Sequence, residues 1–193
     1  MRLQPWTVDE ETTVYEHKPW LEVSLQTVRL PSGQLVDDYH KVVTPDFIEV
    51  FAVSDDGYVL AEQQYKHGVG EVSLTLPSGN IEHREDPESA ARRELLEETG
   101  YSASEFRKLG EYVVHGNYGC ATAHLFMARG IKKVAEPNSG DLEEMWILKL
   151  RADDLKAAVL GGQVKVVTGA AAIMIATDPT LVFTDTGASF EQS

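Results

Sequence analysis

One segment differs sharply from its surroundings. From Pro87 to Thr99 the chain reads PESAARRELLEET, rich in strong helix formers. Asp86 precedes it as an N-cap, and Pro87 takes the first helical position, where its missing N–H costs nothing. Gly100 follows at the position where helices end in a left-handed residue. The spacing predicts a helix over 87–99. Glu94, Glu97 and Glu98 fall at i, i+3 and i+4, which sets three carboxylates on one face of one turn. Like charges so placed repel by roughly a few tenths of a kcal/mol per pair. A solvated helix face tolerates that. The same face is also a set of hard oxygen donors for a divalent cation, with positions open for water and a substrate phosphate. Arg93 stands next to them, able to pair with or orient them, while Ala91 and Leu95 point towards a core.

Around this helix the pattern has a period near two. Residues 13–30 read as extended, and Pro31-Ser32-Gly33 as a turn. A short strand is expected at 42–44. Phe47 to Val53 is an apolar, β-rich run stopped by Asp55-Asp56-Gly57 and answered by Tyr58 to Gln63, which predicts a β-hairpin. Glu71 to Leu76 reads as a strand closed by Pro77-Ser78-Gly79. Further strands are expected at 111–114 and 123–128, with the loop HGNYGC (115–120) between them, and around 145–150 after a polar loop at 136–140. Helices are expected at about 153–160, ended by Gly161-Gly162, and 168–176, ended by Asp178-Pro179. From Thr184 the chain reads as a loose tail.

Charge narrows the function. Seventeen Lys+Arg stand against 31 Asp+Glu, a net charge of −14. That is the wrong sign for coating nucleic acid or an anionic membrane surface. No apolar run approaches the roughly 20 residues of a bilayer span, and the acidic opening MRLQPWTVDEE does not read as a signal peptide. The one cysteine, Cys120, cannot form an internal disulfide, which favours a reducing compartment; the cytoplasm is the expected location. An acidic chain that handles anionic phosphates must use local Arg and Lys or carboxylate-held cations.

The helix belongs to a longer string: Gly79-x5-Glu85-x7-Arg93-Glu94-Leu95-x-Glu97-Glu98-x-Gly100-Tyr101. It fills the fixed positions of the Nudix box, with Tyr101 as the final residue in place of an aliphatic. The chain therefore resembles the Nudix hydrolase family. Upstream, Gln64-Tyr65-Lys66 and Thr75-Leu76-Pro77-Ser78-Gly79 resemble the elements that precede the box in the subgroup cleaving ADP-ribose and related nucleoside diphosphate sugars.

The resemblance implies an α/β fold: a Nudix α/β/α sandwich with a mixed β-sheet, here with an N-terminal antiparallel β-strand region. The expected division is 1–44 for the N-terminal strands, 45–178 for the Nudix domain and 179–193 for the tail. Glu94 and Glu98 would be the main ligands of Mg²⁺ or Mn²⁺, Glu97 would assist, and the Ser78 carbonyl would be a further ligand. Arg93, counted with the catalytic set, and Glu85 would hold loop and helix in register. The water-activating base would come from the segment around Asp141, Glu143 and Glu144, with Glu143 or Glu144 favoured. Lys66 would contact phosphate. Trp20, in Lys18-Pro19-Trp20, stands where the subgroup has an aromatic that sandwiches adenine; a core or dimer-interface role is the other reading, and Trp6 shares both.

Several residues depart from the pattern. Arg84 replaces the usual glycine before Glu85, so the loop takes another path, or Arg84 reaches the phosphates, or it is solvated. Lys66 replaces an arginine, offering a point charge instead of a bidentate grip. The loop His115-Gly116-Asn117-Tyr118-Gly119 lacks the proline common in ADP-ribose-cleaving relatives; Tyr118 stacks on a base or packs at the loop tip. The expected function is a metal-dependent pyrophosphatase that acts on a small-molecule nucleoside diphosphate derivative, ADP-ribose first, as a homodimer joined through the N-terminal strands, with no nucleic-acid or membrane partner. The alternatives are another diphosphate substrate (a dinucleoside polyphosphate, a different nucleotide sugar, a damaged nucleotide) and a nucleotide-sensing module that does not cleave.

Overall fold

Strand segments that cannot bury both faces in a hairpin must find other elements to cover them. In this chain two sheets result. The computed structural model describes residues 3–140 and 144–178. The first sheet is an antiparallel meander of β1 (Thr7–His17), β2 (Leu21–Arg29) and β3 (Leu35–Val43), in that order. The extended stretch read over 13–30 is thus two strands, split by a turn at Lys18-Pro19-Trp20, where Trp20 N–H donates to His17 O. β3 is longer than the short strand expected at 42–44, because its polar residues Asp37, Asp38 and His40 hide the alternation.

The second sheet carries the site. Its strands are β4 (Phe47–Val53), β5 (Tyr58–Lys66), β6 (Glu71–Thr75), β7 (Ser78–Asn80), β9 (Glu105–Val113), β10 (Thr122–Arg129) and β12 (Met145–Arg151). A separate two-residue pair joins β8 (Tyr101–Ser102) to β11 (Lys132–Lys133). The order is β12-β5-β4-β10-β9, with β6 on β5 and β7 on β4. β10 runs parallel to β4 and the other pairs are antiparallel, so the sheet is mixed.

The hairpin expected from 47–53 and 58–63 forms only at its turn end. β4 and β5 pair at one position, Val53 with Val59, and then diverge. β5 continues between β12 and β6, while β7 fills the gap beside β4, with Glu49 opposite Ser78 and Val50 N–H on Pro77 O at 2.9 Å. Pro77-Ser78-Gly79 is therefore a strand entry as well as a turn.

Helices cover both faces, as the α/β/α layering requires. α1 (Pro87–Thr99) lies on one side: Ala90, Ala91 and Leu95 pack on Ile48, Val50, Ala52, Leu60 and Phe126. α2 (Ala152–Leu160) and α3 (Val167–Thr177) lie on the other, where Leu155, Ala172 and Ile173 meet Phe51, Val59, Leu125 and Met127. The limits of α1 match the sequence expectation. Asp86 accepts from the Glu88 and Ser89 N–H groups at 3.0 and 3.2 Å, and Gly100 sits at φ 73°. A Cβ on Gly100 would overlap the Ala135 carbonyl, so the helix end needs glycine for space as well as conformation.

Leu95 is fully buried at the centre of the α1 layer. Leu95→Ala removes its packing and leaves a cavity, and is expected to cost about 2–5 kcal/mol. Urea denaturation followed by circular dichroism checks this.

Candidate active site

The site is built where α1 faces β7 and the loop after it. Arg93 is the centre of its charge pattern. Its Nε and Nη2 donate to the two carboxylate oxygens of Glu85 at 2.9 and 2.8 Å. Nη1 donates to Glu94 Oε1 at 2.7 Å and Glu97 Oε2 at 3.1 Å, and Nη2 also donates to Asn80 O at 3.0 Å. One planar fork thus ties the loop 80–85 to the helix. Glu85 first of all, and then Glu94, hold the guanidinium firmly protonated, and Arg93 in return keeps the Glu85 carboxyl below the usual carboxylate range.

Glu94 lies so close to Gly79 that a Cβ on residue 79 would fall inside its carboxyl. Glu98, only 4% exposed, accepts the Ser78 N–H at 2.7 Å. The two carboxylates, one turn apart, therefore both press against β7. They and Ser78 line a cleft of about 830 Å³, together with Glu97, Arg93, Lys66, Gln64, Phe47 and Trp20. The loop that leaves β11 is moored to the end of α1. Val134 and Ala135 N–H donate to Gly100 O at 2.9 and 3.1 Å, and Asn138 N–H to Glu97 O at 2.7 Å. That mooring brings Ser139 to the cleft wall.

A model of the NUDIX domain matches residues 46–160. The chain belongs to the Nudix family. A second family, the nucleoside diphosphate sugar hydrolase N-terminal domain, matches residues 6–42. Among curated relatives, an ADP-ribose pyrophosphatase of Bacillus subtilis (strain 168) is 28% identical over 124 residues, covering 64% of this chain and 66% of that protein. A methanol dehydrogenase activator of Bacillus methanolicus is also 28% identical over 124 residues, covering 64% and 65%. An ADP-sugar pyrophosphatase of Mus musculus is 31% identical over 104 residues, covering 50% and 47%. The chain spans just under two thirds of the length of the first two. A crystal structure of an ADP compounds hydrolase superposes with a TM-score of 0.77 at 18% identity, covering 91% of this chain and 94% of that one, a likeness of fold.

Of the residues expected at the Nudix site, Ser78, Arg93, Glu94, Glu97, Glu98, Lys66 and Trp20 meet around one cleft. Arg84 is exposed and outside the cleft lining, and it takes φ 67°. The loop keeps a left-handed turn there even without glycine, a conformation that costs a residue with a Cβ about 1–2 kcal/mol. Tyr118 also lies outside that lining. It stacks on His115 at 4.5 Å, and its carbonyl accepts the Val42 N–H of β3 at 2.9 Å. The 115–120 loop joins the two sheets, with Tyr39 OH on Asn117 O at 2.6 Å. Glu144 is exposed ahead of β12 and outside the cleft lining. Asp141 and Glu143 lie outside the described residues.

Sequence reasoning missed Phe47 and Gln64 as cleft walls, and Glu49. Glu49 interrupts the run FIEVFAV, and that single acidic residue among apolar ones was the available signal. Its side chain is buried beneath α3, where it accepts from Thr168 Oγ1 at 2.7 Å. Burial raises its pKa from 4.5 to about 7, against the Thr168 hydrogen bond and the nearby Lys66 charge.

The folded chain thus binds the Glu49 proton more tightly than the unfolded chain. Its contribution to stability is full below about pH 4.5 and is lost as pH rises to about 7. Between pH 5 and pH 8 this group is expected to remove about 2–3 kcal/mol. Glu49→Gln removes that portion of the pH dependence. Urea denaturation of both proteins in EDTA at the two pH values checks it.

Proposed function

We propose that this Nudix protein is a metal-dependent hydrolase that cleaves the diphosphate linkage of a nucleoside diphosphate derivative. ADP-ribose is the first substrate, and AMP and ribose 5-phosphate are the products. The observation that carries the reading is the placing of Glu94 and Glu98, one turn apart, against Ser78 and Gly79 on one wall of the cleft. The names of the Bacillus subtilis and mouse relatives support the substrate class.

The donor set fits a hard cation. Among the described residues no three His, Cys, Asp or Glu side chains stand ready as a metal cage. The set is instead two carboxylates facing an open cleft, which suits Mg²⁺ or Mn²⁺ completed by water and substrate oxygens. Glu94 and Glu98 would hold the ion, with Glu97 and the Ser78 carbonyl assisting. Bound there, the ion would neutralise charge developing on the diphosphate.

The chain's own side chains do the rest. Lys66 offers a point charge to the phosphates. Trp20, 59% exposed at the cleft, offers a face to the base. Arg93 positions Glu94 and Glu97 and so is a positioning residue. With carboxylates engaged on metal, another group must take the proton from the attacking water. Glu143 or Glu144 is the assignment, on the segment that follows the moored Asn138.

A different nucleoside diphosphate substrate is the second reading. Lys66 in place of arginine favours it, and so does the Bacillus methanolicus relative, equally similar but named for a different role.

The paired Nudix carboxylates lead to the first test. Glu94→Gln or Glu98→Gln is expected to lower turnover at least a hundredfold with the fold retained. A panel of ADP-ribose, other nucleotide sugars and dinucleoside polyphosphates, with Mg²⁺ and with EDTA, measures it. Normal turnover in Glu98→Gln would sink the assignment, and tight binding of ADP-ribose with no cleavage in Mg²⁺ would mark a sensing module.

The base assignment has its own readout. Glu143→Gln or Glu144→Gln is expected to lower kcat at least tenfold while metal affinity stays near wild type. Steady-state kinetics with a metal titration decide it, and unchanged kcat in both single variants and the double variant sends the role elsewhere.

Oligomeric state follows from the first sheet. β1 is exposed along its whole length, and Val8, Val14 and Tyr15 stand in solvent with Trp6 and Trp20 nearby in sequence. A long unpaired strand edge with apolar side chains is a surface for a second copy. Light scattering at micromolar concentration is expected to give twice the 21.3 kDa chain mass. A stable monomer refutes the dimer.

A further inference from the structure

Behind the main cleft, on the face of the sheet covered by α3, lies a second chamber of about 260 Å³. The two cavities share Phe47, Lys66 and Ser78 as walls. The chamber thus begins beside Lys66, assigned to the phosphates, and Ser78, assigned to the metal ion. Its lining combines apolar surfaces from Leu74 and Val164 with the polar side chains of Glu49, Thr75 and Thr168. Glu49 Oε1 accepts from Thr168, whereas Oε2 is buried with no hydrogen-bond partner among the described residues. A buried acceptor left unpaired costs about 1–3 kcal/mol. A ligand hydroxyl that donated to it would recover much of that cost.

We propose that this chamber is a subsite for the sugar esterified to the far phosphate of a nucleoside diphosphate sugar, with Glu49 reading its hydroxyls. This rests on the reading of the main cleft as a diphosphate hydrolase site. The chamber's volume is that of about nine waters, enough for one five- or six-membered ring. The larger cleft, with the exposed Trp20, is left for the nucleoside. Apolar walls suit the C–H faces of a sugar, and Glu49, Thr75 and Thr168 suit its hydroxyls. A site whose buried polar groups need a substrate hydroxyl discriminates strongly against a substrate without it. Glu49 is therefore a specificity-determining residue, set apart from the metal-binding carboxylates on α1.

The test compares two esters of one nucleoside diphosphate: the sugar ester, chosen as the fastest of ADP-ribose, ADP-glucose and UDP-glucose, and the β-methyl ester, which keeps the diphosphate and lacks the sugar. The readout is the ratio of kcat/KM, sugar ester to methyl ester. Glu49→Met keeps the length of the side chain and removes both oxygens, and is expected to lower that ratio at least tenfold. Where Glu49→Met does not fold, Gly169→Ala decides by the same ratio. Its added Cβ lies 3.7 Å from Glu49 Oε2 and from Val164 Cγ1, an ordinary contact that narrows the chamber inside a helix where alanine is favoured. An unchanged ratio overturns the proposal, whether both activities hold or both fall together. Cleavage of the methyl ester by wild type with an unchanged ratio leaves the hydrolase reading intact and removes only the subsite. Cleavage of neither ester by wild type overturns the reading of the cleft as a nucleoside diphosphate sugar site, and the subsite with it.

Discussion

The Arg93 guanidinium joins parts of the chain that carry the same charge. In a protein of net charge −14, Glu85, Glu94 and Glu97 gather around one side chain, and Arg93 donates to all three. The bidentate bond to Glu85 and the bond to Asn80 O fix the loop before α1 to the helix itself. Because these groups are only partly buried, the network's worth lies less in raw stability than in geometry. A planar fork with fixed donor directions allows few arrangements of its partners. Glu94 is held against Gly79 by the same fork that relieves its repulsion with Glu97, so the carboxylate face exists in one orientation.

That arrangement depends on how the main sheet opens. β4 and β5 leave a turn together and separate after one pair, and β7 enters the gap. The strand entry carries Ser78 and Gly79 to the helix side, where Glu98 and Glu94 meet them. The same divergence uncovers the other face between β4, β5 and α3, where Glu49 and the smaller chamber lie. One opening in the sheet thus provides both the cleft and its side chamber. The N-terminal sheet is fastened by the 115–120 loop through Tyr118 O and Asn117 O, and it brings Pro19 and Trp20 to the cleft.

What the sequence determined by itself is the helix and its chemistry. The ends of α1, the Asp86 cap, the Gly100 stop and the spacing of Glu94, Glu97 and Glu98 are legible because helical hydrogen bonds and caps connect residues at most a few positions apart. The positions of most strands and of α2 and α3 were legible for the same local reason, in alternation and turn residues. Strand partners were not. A hairpin at 47–63 and its divergence have the same local pattern, and only β7, β10 and β12, arriving from far along the chain, select between them. The place of Tyr118 between the sheets, the left-handed Arg84 and the burial of Glu49 beneath α3 were decided by tertiary structure too. Each depends on a neighbour distant in sequence: Val42 for Tyr118, the Arg93-bound loop for Arg84, Thr168 for Glu49. Local periodicity carries no information about which distant segment will lie alongside, because that choice is made by the packing of the whole core.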